Sequence, residues 1–271
     1  MTAGRGGEVE VDGRRLAWHG LGSGPPLLLV NGYAATGSDW DPGFLAALGD
    51  SFELICPDNR GTGGSERGEG AMTIDGLAAD LEALLEALGI ERLAVAGWSM
   101  GGFVAQALTR RVPERVASLA LLDTDPGGAD SVLAAAEAWA RLTDRSGSHR
   151  EQATRLISLL FPPPLAADVD RRFGDAVAAA RAELSPATLL AQEQAMEAWH
   201  REARPAGPAG PTPPTLVLHG ELDEVIPAAN AELVASRWPG ARVEVLAGCG
   251  HALMAQEPER AAGLIRALAD G

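Results

Sequence analysis

The 271-residue sequence contains no lysine, so all 22 of its basic residues are arginines. This absence excludes mechanisms that need a lysine amine, such as Schiff-base catalysis, pyridoxal-phosphate anchoring and the phosphate-binding lysine of Walker A loops. Cysteine is scarce as well, since only Cys56 and Cys249 occur. Two isolated cysteines in a chain of this length do not make a disulfide framework, and we interpret both as reduced thiols without a catalytic role.

Long apolar runs and an excess of positive charge are also missing. No uninterrupted apolar stretch approaches the roughly 18 residues that a membrane-spanning helix needs, and no segment of signal-peptide type opens the sequence. The formal net charge of −15 argues against nucleic acids and anionic membranes as partners. We therefore expect a soluble, cytoplasmic monomer or homodimer that acts on a small molecule.

The most informative motif that is present is Gly97-Trp98-Ser99-Met100-Gly101. It follows the apolar, strand-like run at 93–96 and precedes a helix-like segment. A G-x-S-x-G sequence between a strand and a helix indicates a nucleophile elbow, a turn so tight that it needs glycine on both sides of the serine. The motif predicts that Ser99 is a catalytic nucleophile at the start of a helix, where developing negative charge is stabilised.

A serine nucleophile needs a general base within hydrogen-bond reach, about 2.6–3.2 Å. His251 is the candidate base, because it lies in a glycine-rich loop directly after the last predicted strand. Asp223 follows the preceding predicted strand and is the candidate acid that orients this histidine. Asp123, after the sixth predicted strand, is the main alternative for that role, and Asp125 follows in the same segment.

These motifs belong to a longer series. Five landmarks occur in order along the chain: Asn31-Gly32-Tyr33, the turn at 57–65, the elbow at 97–101, the acidic loop at 220–227, and Gly250-His251. In this series the chain resembles proteins of the α/β-hydrolase fold over nearly its whole length. The resemblance implies a mostly parallel central sheet flanked by helices, with nucleophile, acid and histidine in that chain order. It does not select one reaction, because this fold supports many chemistries.

The resemblance also implies an oxyanion hole, the pair of backbone N–H groups that holds the negative oxygen of the transition state. The expected donors are Met100, after the nucleophile, and Tyr33, after the Asn31-Gly32 turn. Relatives usually carry histidine where this chain has Asn31, and we expect the asparagine amide to brace the turn instead. Tyr33 is the single tyrosine of the chain, and its side chain is expected either to form a pocket wall or to donate its hydroxyl to substrate.

Strand and helix signals alternate along most of the chain, which indicates an α/β fold. From 125 to 213 strand signals are missing, and the pattern predicts four helices at about 129–144, 149–160, 167–183 and 186–203, followed by a proline-rich return linker. We therefore predict a hydrolase core of 1–124 and 214–271, with a helical cap at 125–213 inserted after strand six and lying over the nucleophile. Candidate pocket walls are apolar: Trp98, Trp139, Phe161, Trp199 and Leu253.

Together these features predict a hydrolase that cleaves a carboxylic ester, lactone or similar acyl bond through an acyl-enzyme, without cofactor or metal. The apolar walls predict a neutral, mostly apolar substrate of moderate size. One alternative keeps the fold but changes the reaction to C–C bond hydrolysis, cofactor-free haloperoxidase or perhydrolase chemistry, or natural-product cyclisation. Another alternative is a small-molecule receptor or scaffold with little turnover.

Overall fold

A hairpin begins the chain, formed by strands β1 (Arg5–Val11) and β2 (Arg14–Gly22). Asp12 and Gly13 join the strands, and both have positive φ, which suits a two-residue hairpin turn. The computed structural model describes residues 5–205 and 207–270. Residues 1–4, 206 and 271, which our predicted domain boundaries include, lie outside the described residues.

The hairpin forms one end of a single eight-stranded sheet with the order β1-β2-β4-β3-β5-β6-β7-β8. β2 pairs antiparallel with β4, and all pairs from β4 to β8 are parallel. The remaining strands are β3 (Pro26–Val30), β4 (Glu53–Pro57), β5 (Leu93–Trp98), β6 (Val116–Leu122), β7 (Thr215–Gly220) and β8 (Arg242–Leu246). The sheet confirms the predicted mostly parallel α/β-hydrolase architecture.

Helices cover both faces of the sheet, as buried parallel strands require. Leu28 and Leu29, which are neighbours on β3, enter two different apolar clusters on opposite faces. One cluster includes residues of α2, α3 and α8, and the other includes residues of α1 and α10. The helices of the core are α1 (Pro42–Gly49), α2 (Ile74–Ala87), α3 (Met100–Arg111), α8 (Asn230–Arg237), α9 (Leu253–Gln256) and α10 (Pro258–Asp270), with a short 3₁₀ turn at Pro113–Arg115.

Four helices separate β6 from β7, and no strand interrupts them in the described part of this segment. They are α4 (Ala136–Thr143), α5 (His149–Leu160), α6 (Pro163–Ala182) and α7 (Pro186–Arg201). Two boundaries differ from the prediction. α4 begins at Ala136 rather than near 129, because Gly127 and Gly128 hold positive φ and the chain stays irregular after them. α6 begins at Pro163 rather than 167, because proline is well tolerated in the first helical turn.

In the described residues, no helix has both the length and the apolar character needed to cross a bilayer.

Candidate active site

Ser99 lies at the turn between β5 and α3 and is the residue that caps the helix. Its φ of 57° is in the left-handed region, which is strained for a residue with a side chain. A side-chain carbon at Gly97 would overlap the backbone of Gly101, and one at Gly101 would overlap the carbonyl of Val30. Both glycines are therefore required by the close approach of α3 to β3 and β5, and the turn has the shape of a nucleophile elbow.

The turn after β3 lies directly beside the serine. A side-chain carbon at Gly32 would lie 3.1 Å from Ser99 Cβ. The Asn31 amide donates to the carbonyl of Pro57 at 3.1 Å, which ties this turn to the end of β4. The Asn59 amide donates in turn to the carbonyl of Asn31, also at 3.1 Å. Asn31 thus braces the turn, as its position suggested.

Two backbone N–H groups are available next to Ser99. Met100 is the first residue of α3, and the first N–H groups of a helix have no partner within it. In residues 5–205 and 207–270, neither Met100 N–H nor Tyr33 N–H donates to a protein acceptor outside regular elements. This arrangement suits an oxyanion hole, although the role of both groups stays a prediction.

His251 and Asp223 form a buried pair. His251 Nδ1 lies 2.7 Å from Asp223 Oδ2, and both side chains are almost inaccessible to solvent. The other carboxylate oxygen of Asp223 accepts the N–H groups of Val225 at 2.8 Å and Ile226 at 2.9 Å. Burial alone would raise the pKa of Asp223, but the charges and hydrogen bonds of His251 and His219 outweigh burial and lower that pKa below its usual range. The lowered pKa favours the ionised form of Asp223.

Asp123, the alternative candidate for the acid, differs from Asp223 in its partners and in the direction of its pKa shift. It is fully buried, and its Oδ1 accepts the N–H of Gly220 at 2.8 Å while its Oδ2 has no partner among the described residues. Burial, followed by the charge of Asp223, raises the pKa of Asp123 well above its usual value. This shift favours the neutral form of Asp123, and the carboxylate within hydrogen-bond distance of His251 is that of Asp223.

Asp123, His219 and Asp223 also offer ligand atoms that lie within 4.8 Å of one another. Two of these groups, His219 and Asp223, already have partners, however. His219 Nε2 lies 2.8 Å from the carbonyl of Ile226, and Asp223 Oδ2 is bound to His251. A metal ion at this position would have to displace both contacts, so the donor set does not fit a resident metal.

The loop that carries His251, called the base loop after the predicted role of this residue, is attached to the elbow and to the cap. The Trp98 indole donates to the carbonyl of His251 at 2.7 Å, and the two rings lie 5.4 Å apart. The N–H of Ala252 donates to the carbonyl of Leu160, the last residue of α5, at 3.1 Å. A direct hydrogen bond between Ser99 and His251 is not among the contacts of the described residues, so that contact stays a prediction. Catalytic hydrogen bonds are commonly long before substrate binds.

The serine is covered in this arrangement, since only 7% of Ser99 is exposed. A cavity of about 850 Å³ lies instead between the hairpin and the end of α2, and Arg5, Trp18 and Arg92 contribute to its wall. None of the candidate catalytic residues lines that cavity, so it is a surface cleft outside the site.

Three predicted pocket walls keep some exposed surface near the site. Trp98 lies against His251, and Phe161, at the end of α5, packs against the same apolar cluster as Trp98. Trp139 of α4 packs against the cluster that Tyr33 also contacts. Their role in substrate binding stays a prediction.

The two other predicted walls are fully buried, and their role in substrate binding stays a prediction. Trp199 and Leu253 have no exposed surface. The Trp199 ring stacks on Phe103 of α3 at 5.3 Å, and its indole N–H donates to the buried carboxylate of Asp125 at 3.2 Å. Leu253 lies inside the apolar cluster on the other face of the sheet. Trp199 therefore anchors α7 to the core, because its one polar atom finds a buried acceptor there.

This placement predicts a large effect of Trp199→Ala on stability. We expect the free energy of unfolding to fall by about 3–5 kcal/mol, the usual cost of removing a buried tryptophan. Chemical denaturation of the wild type and the variant measures it. The matched control is Phe173→Ala, because Phe173 also lies on a cap helix but is half exposed. Equal stability losses in both variants would contradict the anchoring role.

The sequence analysis missed a polar network between the cap and the turn after β3. The Tyr33 hydroxyl donates to Glu193 of α7 at 2.6 Å, and Arg145 pairs with the same carboxylate at 3.0 Å. Burial, and next the hydrogen bond to Glu193, raise the pKa of Tyr33. The hydroxyl is thus already used within the protein. One signal was present in the sequence, since Glu193 lies four residues after Leu189 and three before Met196, on the buried face of α7.

Known proteins share this fold and arrangement of elements. A family model described as the alpha/beta hydrolase fold matches residues 25–258. The 2-hydroxymuconate semialdehyde hydrolase of Pseudomonas putida is 28% identical over 293 residues, covering 96% of this chain and 92% of its own length. A hydrolase from Pseudomonas aeruginosa PA01 is 28% identical, with a TM-score of 0.77 over 100% of both chains. The enol-lactonase from Burkholderia xenovorans LB400, 24% identical, shares the fold with a TM-score of 0.79 over 98% of this chain and 100% of its own.

Proposed function

This chain belongs to the α/β-hydrolase fold family, and we propose that it is a serine hydrolase that cleaves a carboxylic ester, lactone or similar acyl bond of a small, mostly apolar molecule. The observation that carries the proposal is the placement of Ser99 in a strained elbow whose neighbour, Trp98, holds the loop of the His251–Asp223 pair. This placement supports Ser99 as the nucleophile, His251 as the base and Asp223 as the acid.

In the proposed first step, His251 takes the proton of the Ser99 hydroxyl as the oxygen attacks the acyl carbon. The Nδ1–H of His251 points to Asp223, which leaves Nε2 free to accept that proton and stabilises the imidazolium that forms. The N–H groups of Tyr33 and Met100 donate to the oxyanion of the tetrahedral intermediate. They are fixed by the helix start and by the braced turn, so no reorganisation is needed when charge develops.

In the second half of the reaction, the protonated His251 gives its proton to the leaving oxygen and an acyl-enzyme remains on Ser99. Water then enters, His251 takes one of its protons, and the hydroxide attacks the acyl carbon through a second tetrahedral intermediate. The carboxylic acid leaves and Ser99 recovers its proton. A closed cap supports this sequence, because it limits water to what the second step consumes.

The test is turnover of p-nitrophenyl esters with graded acyl chains, together with simple lactones. We expect release of p-nitrophenol above the uncatalysed rate for at least one chain length, with an initial burst if deacylation is slow. No turnover of any ester or lactone would contradict the proposal.

The half-buried ring of Phe161 is expected to limit the length of the acyl chain. Phe161→Ala removes a large side chain at the junction of α5 and the base loop, so the chain length with the highest kcat/KM should increase by two or more carbons, while short esters are still cleaved. Phe173→Ala, on the exposed surface of α6, is the matched control and should keep the wild-type profile. An unchanged profile in Phe161→Ala would show that this ring does not bound the acyl site.

A further inference from the structure

Two consecutive residues of α7, Gln192 and Glu193, contact the turn after β3 from the cap. Gln192 Oε1 accepts the N–H of Ala34 at 2.9 Å. Glu193 accepts the Tyr33 hydroxyl at 2.6 Å and is itself paired with Arg145 at 3.0 Å. Gln192 is fully buried and Glu193 is only 7% exposed, so water competes little for either contact. One cap helix therefore holds two successive residues of this turn.

The turn needs such a contact because one of its residues is strained. Ala34 has a φ of 57°, in the left-handed region that residues with a side chain rarely adopt. A conformation of this kind persists only where the surrounding structure fixes it. The hydrogen bond from Gln192 fixes the N–H of the strained residue itself. Loss of this bond removes a restraint on Ala34 and on Tyr33, which directly precedes it.

The side-chain amide of Gln192 is used on one side. Its Nε2 is buried and has no hydrogen-bond partner among the described residues. A buried amide nitrogen without an acceptor is unfavourable, and an apolar side chain of similar size would avoid this cost. The orientation of the amide follows from chemistry, since only its oxygen can accept the N–H of Ala34. That hydrogen bond is therefore the contact that explains a glutamine at this position.

The restrained turn borders the serine. A side-chain carbon at Gly32 would lie 3.1 Å from Ser99 Cβ, and the next residue, Tyr33, carries the proposed oxyanion donor. The Asn31 amide fixes the start of the turn by donating to a carbonyl at the end of β4 at 3.1 Å. The sheet thus holds one end of the turn, and α7 holds the other through Gln192.

An oxyanion donor is effective when it already points to the place where the charge will develop. We propose that Gln192 is a positioning residue, which fixes the turn after β3 so that the Tyr33 N–H points at the oxyanion when α7 lies against the turn. The residue acts through Ala34 and Tyr33 rather than on the reacting atoms. The inference rests on the proposed function, because an oxyanion forms only if Ser99 attacks an acyl carbon.

The kinetic test is Gln192→Met, which removes the acceptor oxygen and retains a side chain of similar length. We expect kcat for a p-nitrophenyl ester to fall by about 10- to 100-fold, because a misplaced donor costs somewhat less than the roughly 10²- to 10³-fold loss of a deleted one. KM should stay within about twofold of the wild type, since the oxyanion exists only beyond the ground state. Gln194→Met, at an exposed glutamine of the same helix, is the matched control and should keep both constants.

A pair of inhibitors separates positioning from a merely structural role. A trifluoromethyl ketone adds to a nucleophilic serine and carries an oxyanion in the adduct, whereas the matching methyl ketone binds largely without addition. In Gln192→Met the inhibition constant of the trifluoromethyl ketone should rise by the same factor as kcat/KM falls. The inhibition constant of the methyl ketone should stay within about twofold of the wild type. Gln192→Leu, which also lacks an acceptor, is the second variant if the methionine form does not fold.

Failure of the two proposals can be distinguished. Ester turnover by the wild type, with kcat unchanged in Gln192→Met or with both inhibition constants raised alike, would overturn the positioning role and leave the hydrolase intact. No turnover by the wild type would contradict the hydrolase. The shift in melting temperature that the trifluoromethyl ketone causes would then still test Gln192, because a smaller shift in Gln192→Met supports positioning and an equal shift contradicts it.

Discussion

Replacement of Ser99 by alanine is expected to lower kcat for a p-nitrophenyl ester by roughly 10⁶-fold, the loss typical of removing a serine nucleophile. Alanine cannot form the acyl-enzyme, and the residual rate would come from the oxyanion donors and from substrate binding alone. The fold should persist, because alanine only removes the hydroxyl. Steady-state kinetics measures the loss, and circular dichroism checks the fold.

Covalent labelling makes the assignment of the nucleophile specific. A fluorophosphonate probe should modify the wild type at Ser99 and leave Ser99→Ala unlabelled. Ser118→Ala is the matched control, because Ser118 is also buried and lies on the neighbouring strand β6. It should keep both labelling and turnover. Labelling that persists in Ser99→Ala would assign the nucleophile to another residue, and an unlabelled wild type would favour a receptor with little turnover.

Asp223→Asn is expected to lower kcat by about 10⁴-fold, the loss that the equivalent change causes in a well-studied serine protease. An asparagine amide donates to Nδ1 of His251 instead of accepting from it, so the proton moves to Nε2 and the base can no longer take the proton of Ser99. The carboxylate itself stays ionised throughout the neutral range, because its pKa is lowered.

Asp123→Asn is the matched comparison for this variant. Asp123 is buried only a short distance away, but its raised pKa favours the neutral form, and asparagine has nearly the same shape as a neutral aspartic acid. Its amide oxygen can still accept the N–H of Gly220. We expect kcat within about threefold of the wild type. This difference is smaller than a tenfold change, which would correspond to about 1.4 kcal/mol of activation free energy. The reverse result, with Asp123→Asn inactive and Asp223→Asn active, would assign the acid to the end of β6.

The elements that the sequence predicted well are those with local physical requirements. The elbow could be identified because only glycine fits at 97 and 101, where the backbone of α3 meets β3. The parallel strands could be identified because burial on both faces demands continuous apolar runs, such as Leu27–Val30. Asp223 and His251 could be proposed because each follows a strand directly, and strand ends in one sheet lie near each other.

Features that depend on the packing of the cap could not be predicted in the same way. Trp199 and Phe161 are both large aromatic residues of the cap, yet Trp199 is fully buried against Phe103 whereas Phe161, directly after α5, keeps exposed surface. No feature of the neighbouring sequence distinguishes the two residues. Likewise Glu193 of α7 meets the Tyr33 hydroxyl at 2.6 Å only after the cap helices pack against the core.

The hydrogen bond from Ala252 to the last carbonyl of α5 has a kinetic consequence. In the predicted arrangement, with the cap over Ser99, substrate reaches the serine when the cap moves, and a displacement of α5 would break this bond and release the loop that carries His251. Substrate entry and the chemical steps then take place in different conformers. The observed rate is therefore the rate of the chemical step in the closed conformer, multiplied by the fraction of enzyme that is closed with substrate bound. A ligand that fills the cap well raises that population, and so it increases its own turnover as well as its affinity.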